Sequence, residues 1–148
     1  MTVVPCCAPR GFRIVDTDIV PATNGYNFFA GGAAMVLQAT QVITVTAGNG
    51  PIDTGAVKYS LSGDFGGFAT DNDSAQLTIH FLDTNHLQIG GPISIGNFNA
   101  VYRNNMIGLF GASAAGVVPA GTRYVQADLN MMTRAGGTHN EGYADNGR

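Results

Sequence analysis

The chain has 148 residues, a formal net charge of −3, 45% hydrophobic residues and only 11% charged ones. That length suits one domain with one core, and the apolar share is enough to fill it. The basic residues, with Lys58 the sole lysine, are scattered rather than gathered on one stretch, which argues against a nucleic-acid partner. No segment reaches the roughly 18–20 apolar residues of a membrane helix, so insertion into a membrane is not expected.

Residues 1–11 read as an N-terminal arm ahead of a single domain over 12–148. The arm holds Val3, Val4, Cys6 and Cys7, an apolar run that would be a liability on a lone monomer and is expected to make subunit contacts. Neighbouring cysteines form a strained ring if they bond to each other. A vicinal pair also lacks the spacing and ligand number of a zinc site. Bridging to other chains, metal binding with outside help and two reduced thiols all stay open. No basic region followed by a long apolar run appears between Met1 and Gly11, so no secretory signal is visible.

Period-two alternation then recurs along the chain. Residues 12–15 and 18–20 make a ragged first strand, and residues 35–37 and 41–45 a longer one rich in β-branched side chains. Residues 57–63 follow after the turn-forming Asn49-Gly50-Pro51. The clearest strand is 75–82, where Ala75, Leu77, Ile79 and Phe81 face one way and Gln76, Thr78 and His80 the other. A return strand over 87–95 is interrupted at Gly90-Gly91, and further strands cover 106–111 and 123–131. Short strands punctuated by turns, with no capped helical period, predict an all-β fold: an antiparallel β-sandwich of jelly-roll type with about eight strands.

Several runs carry a resemblance. Asn27-Phe28-Phe29-Ala30-Gly31-Gly32, Tyr59-Ser60-Leu61-Ser62-Gly63 leading into Gly66-Gly67-Phe68, Asp71-Asn72-Asp73-Ser74-Ala75, Val118-Pro119-Ala120-Gly121-Thr122-Arg123 and Gly142-Tyr143-Ala144-Asp145-Asn146 occur in order. Together they resemble bacterial galactose-binding-like jelly-roll modules, distantly similar to the sugar-binding domain of F-box proteins. The resemblance implies non-enzymatic recognition, often of glycans, sometimes with a structural calcium ion. Two departures stand out. Such modules continue past the Asp-Asn pair with an apolar closing strand, whereas this sequence ends at Gly147-Arg148. Their calcium-holding opening is replaced here by Val15-Asp16-Thr17-Asp18.

Two constellations are candidate binding sites. Residues 64–73 put Phe68, Asp71 and Asp73 on a glycine-rich segment, where carboxylates offer hard oxygen ligands or acceptors for sugar hydroxyls. The same residues equally suit a plain turn in which Asp and Asn bond their own backbone. Residues 134–146 put His139, Asn140 and Tyr143 on an expected loop, with Glu141 and Asp145 as candidate calcium ligands. A polar pocket walled by Tyr143 is one reading; a brace for the last strand with Tyr143 in the core is the other.

Catalysis finds no support in motifs. No Gly-x-Ser-x-Gly elbow, phosphate-binding glycine loop or His-Glu-x-x-His occurs. Two functions from different classes remain. One is an extracellular module that binds a glycan or surface protein. The other is a structural subunit of a virion (decoration or tail) or a surface polymer, a homo-oligomer or larger assembly whose arm, or a neighbour's strand, fills an open sheet edge.

Overall fold

The computed structural model describes residues 3–5, 27–33, 35–134 and 139–148. Nine strands and one short helix follow in order: β1 (Val3–Pro5), β2 (Asn27–Gly32), β3 (Val36–Thr44), α1 (Asn49–Asp53), β4 (Lys58–Gly67), β5 (Ser74–Leu82), β6 (Gln88–Gly96), β7 (Gly108–Val117), β8 (Tyr124–Met132) and β9 (Asn140–Asp145). They form two sheets, β1-β2-β9-β4-β7 and β3-β8-β5-β6, and every pairing is antiparallel. From β2 to β9 the chain switches sheet at each step except the β5–β6 hairpin, which is jelly-roll topology.

Alternation explains the central strands. Leu77, Ile79 and Phe81 of β5 are buried against Leu61 and Phe65 of β4, Ile95 of β6, Met131 of β8 and Ala144 of β9. The Gly90-Gly91 interruption does not end β6. It appears as a register shift opposite Ile79 and Phe81, with Gly90 at φ 70, an irregularity that absorbs two extra residues on β6 and so keeps the inward face inward. At the core's far end Ile52, carried by α1, is fully buried. An Asp53–Arg123 ion pair at 2.9 Å ties that helix to the β7–β8 connection.

Three segments differ from the sequence reading. β4 runs on to Gly67, so Asp64-Phe65-Gly66-Gly67 is strand rather than loop, and Phe65 is 1% exposed in the core. Residues 140–145, expected as loop, are β9, hydrogen-bonded between β2 and β4. β7 continues to Val117, because Ala112 and Ala114 pack against the core although their small side chains carry little hydropathy signal. Of the arm, Val3–Pro5 pairs with β2 in the register Val3↔Phe29 to Pro5↔Asn27. Cys6, Cys7 and the expected strand at 12–20 lie outside the described residues.

Topology sorts the connections. Residues 33, 35, 68–73, 97–107, 133, 134 and 139 lie at one end of the sandwich, and 45–57, 83–87 and 118–123 at the other. Both candidate constellations therefore converge on the first end. Because Phe65 fills the inter-sheet space, Phe65→Ala is expected to cost about 3–5 kcal/mol of stability; thermal or urea unfolding of the variant measures it.

Candidate functional site

Asp73 organises the first end. It is fully buried, and its two carboxylate oxygens accept the backbone N–H of Arg134 at 2.7 Å and of Glu141 at 3.0 Å. The connection after β4 is thus bonded to both sides of the connection between β8 and β9. Asp71 accepts the Asp73 N–H at 3.0 Å, the local turn that Asp favours. Beneath this turn lies Arg103, also fully buried, whose Nη2 donates to the Asp71 carbonyl. Gly67 makes room for it: a Cβ there would stand 2.9 Å from the Asp73 and Glu141 carbonyl oxygens and 3.0 Å from Arg103 Nη2.

The electrostatics of this cluster are tense. Burial pulls the Arg103 guanidinium below its ordinary range, against the opposing pull of Asp71, Tyr143 and Asp73. Glu141 is pushed up to about 7 by burial, by its hydrogen bond with the Asp71 carboxyl and by the charges of Asp71 and Asp73. Tyr143 is raised as well, first by burial and then by Glu141. Arg103 Nε and Nη1 and Tyr143 Oη have no hydrogen-bond partner among the described residues.

The expected ligands are brought to one end but not to one surface. Asp71, Asp73, Glu141 and Tyr143 form the cluster just described, yet Asp73 and Tyr143 are buried. Tyr143 meets Phe28 edge-on, with ring centroids 5.0 Å apart. Asn140 is 2% exposed; its amide donates to the Met35 carbonyl at 3.3 Å and its oxygen accepts the Gly142 N–H at 3.0 Å. It is a brace that needs Gly31 opposite, where a Cβ would come within 2.2 Å of it. Phe68 is half-buried just past β4, and His139 is exposed.

Glu141 and Asp145 do not make one calcium site. They stand four residues apart on β9, which separates their Cα atoms by roughly 13 Å. Asp145 instead lies opposite Asp64 on β4 and accepts the Asn146 N–H at 2.8 Å. Among the described residues no group of three or more His, Cys, Asp or Glu side chains can hold a metal ion.

The connection between β6 and β7 was not singled out by sequence, and it carries the exposed surface at this end. Phe98 and Tyr102 stack with centroids 4.1 Å apart and planes 4° from parallel, and Phe110 approaches Tyr102 edge-on at 6.5 Å. Tyr102 is 59% exposed, Val101 77% and Met106 53%. The loop is fastened rather than loose. Asn72 accepts the Ala100 N–H at 3.3 Å, Asn99 accepts the Tyr102 N–H at 2.9 Å, and Asn97 accepts from Arg134 Nη2 at 2.8 Å and Ser74 Oγ at 2.9 Å. Asn97, Asn104 and Asn105 all adopt positive φ, a conformation Asn tolerates better than most residues. The recurrence of asparagine around Phe98 and Tyr102 was the available signal.

The other histidines are engaged elsewhere. His80, on the outer face of the β3-β8-β5-β6 sheet, places Nε2 3.3 Å from Asp128 and Nδ1 2.8 Å from Gln88. His86 stacks on Tyr124 at 4.2 Å.

No family model matches the sequence, and no curated protein matches it. Among solved structures, the chain is similar to the enzymatically active domain of tailspike protein 4 of bacteriophage CBA120. The TM-score is 0.58 at 13% identity, over 86% of this chain and 16% of the tailspike chain. The likeness is one of fold, and the chain spans about a sixth of that protein's length.

Two outcomes follow from the cluster. Asp73→Ala strands two backbone N–H groups and is expected to cost about 1–3 kcal/mol, read by denaturant unfolding. Folded Glu141 holds a proton that the unfolded chain releases near its ordinary value of 4.5. Its contribution to stability is therefore complete below that pH and lost as pH rises through about 7. Melting temperatures recorded across this range are expected to fall in the parent and to flatten in Glu141→Gln.

Proposed function

We propose that this chain is a non-catalytic recognition module of galactose-binding-like type that works at a virion or cell surface. It takes a glycan on the end of the sandwich that carries residues 68–73, 97–107, 133, 134 and 139. The observation that carries this reading is the Phe98–Tyr102 stack, an aromatic face 59% exposed at Tyr102 on a loop fastened by Asn72, Asn97 and Asn99. Sugar rings present apolar C–H faces that pack on such rings, while nearby polar groups fix their orientation. The exposed Arg134, bonded to Asn97 of that loop, supplies a polar group near it, and the half-buried Glu141 and exposed His139 lie at the same end.

Absence of catalysis is part of the proposal, and carboxyl geometry supports it. Glycoside cleavage uses two carboxyls held roughly 5–9.5 Å apart across the sugar. Here Asp71 and Glu141 hydrogen-bond to each other, and Asp73 is buried with both oxygens engaged by backbone N–H groups. The tailspike neighbour is described as enzymatically active; a shared fold does not transfer that chemistry. A virion setting draws its support from the same neighbour.

A glycan array followed by titration calorimetry, run with and without calcium, tests the reading. Tyr102→Ala is expected to weaken the retained glycan about tenfold and, through loss of the Phe98 stack, to lower the melting temperature by only about 2–4 °C. Failure of the whole array to retain the protein in both conditions overturns it.

A further inference from the structure

Arg134, just past β8, is the exposed cation of the aromatic end. Arg123 pairs with Asp53 at the far end, and the buried Arg103 answers to Asp71 and Asp73. Arg134 forms no ion pair among the described residues. Asp73 is near it in the fold, but the Asp73 oxygens accept the backbone N–H groups of Arg134 and Glu141. The guanidinium turns to neutral partners instead.

Those partners hold it in one direction. Arg134 Nη2 donates to Asn97 Oδ1 at 2.8 Å and Nε to Ser74 Oγ at a longer 3.4 Å, while Ser74 Oγ donates to Asn97 Oδ1 at 2.9 Å. The three groups close a ring against one edge of the guanidinium. Ser74 is fully buried at the start of β5, and the Asn97 N–H donates to the Ala75 carbonyl at 2.7 Å, so the anchor belongs to the sheet. A guanidinium is a rigid plane with five N–H donors. Fixing one edge therefore aims the other, Nη1 with the second N–H of Nη2, which has no protein partner among the described residues. Asn97 directly precedes Phe98, whose ring stacks on Tyr102. The aimed edge and the aromatic face thus share one loop.

We propose that the glycan taken at this end is acidic, with a carboxylate or sulfate group gripped by the free edge of Arg134 while a sugar ring packs on Tyr102. The inference rests on the glycan reading above and names the class of sugar within it. A neutral hydroxyl would leave the positive charge unbalanced. An oxyanion accepts both N–H groups of the edge in parallel, the arrangement for which arginine is better shaped than lysine.

Titration calorimetry on three matched pairs tests it: sialyllactose against lactose, oligogalacturonate against its methyl ester, and a sulfated galactan oligosaccharide against the unsulfated one. In at least one pair the acidic member is expected to bind at least about tenfold tighter, and the pair that responds tells carboxylate from sulfate. Arg134→Gln keeps the backbone N–H that Asp73 accepts and is expected to erase this preference. Arg134→Lys, which keeps the charge and loses the fork, restores only part of it. Neutral members that bind as tightly as their acidic mates, silence from all three pairs, or a preference that survives Arg134→Gln overturns the proposal. In each of these cases glycans retained on the array keep the broader reading standing, whereas an empty array removes both.

Discussion

A single buried carboxylate holds one end of this sandwich together. Asp73 ties the segment leaving β4 to the segment joining β8 to β9 through the backbone, beside the side-chain bonds of Asp71 with Glu141 and of Arg134 with Asn97. Two backbone N–H groups from either side of the second loop point at this one side chain. Asp71, Arg103 and Asn72 then extend the same network to the β6–β7 loop. Buried polar networks of this kind exchange solvation for geometry: their members lose water, and the gain is a fixed arrangement of loops. The exposed aromatic pair sits on that fixed arrangement.

The cluster also shows what strain the arrangement tolerates. Arg103 is buried with two N–H groups lacking described partners, beside a tyrosine hydroxyl in the same condition. Neighbouring carboxyls offset part of the cost of burying a cation, and Glu141 answers by holding its proton toward neutral pH. Cation, carboxylates and protonated carboxyl therefore belong to one balance of charge, and no member can be read alone.

How much of this could be read from residues alone depends on the strand. β5 was legible because Leu77, Ile79 and Phe81 alternate with polar neighbours over a full strand length. β3, β8 and the jelly-roll class followed from the same signal. β9 and the end of β4 were not legible. Asn140, Glu141, Gly142, Tyr143 and Asp145 look like a loop by composition, and Gly63, Gly66 and Gly67 look like a turn. These glycines are instead where the structure leaves no space: a Cβ on Gly66 would fall 1.6 Å from the Gly108 carbonyl oxygen. Of the expected site, the convergence of the two segments on one end was readable. Which side chains face water was not, since burial of Asp73, Asn140 and Tyr143 depends on contacts far away in sequence.

Helix α1 and the aromatic loop lie toward opposite ends of one rigid strand. β4 is ten residues long, so roughly 30 Å separates its ends. Whatever orients the end that carries α1 therefore also sets the direction of the Tyr102 face, with no hinge between them. The unlike connections at the two ends thus give the molecule a top and a bottom.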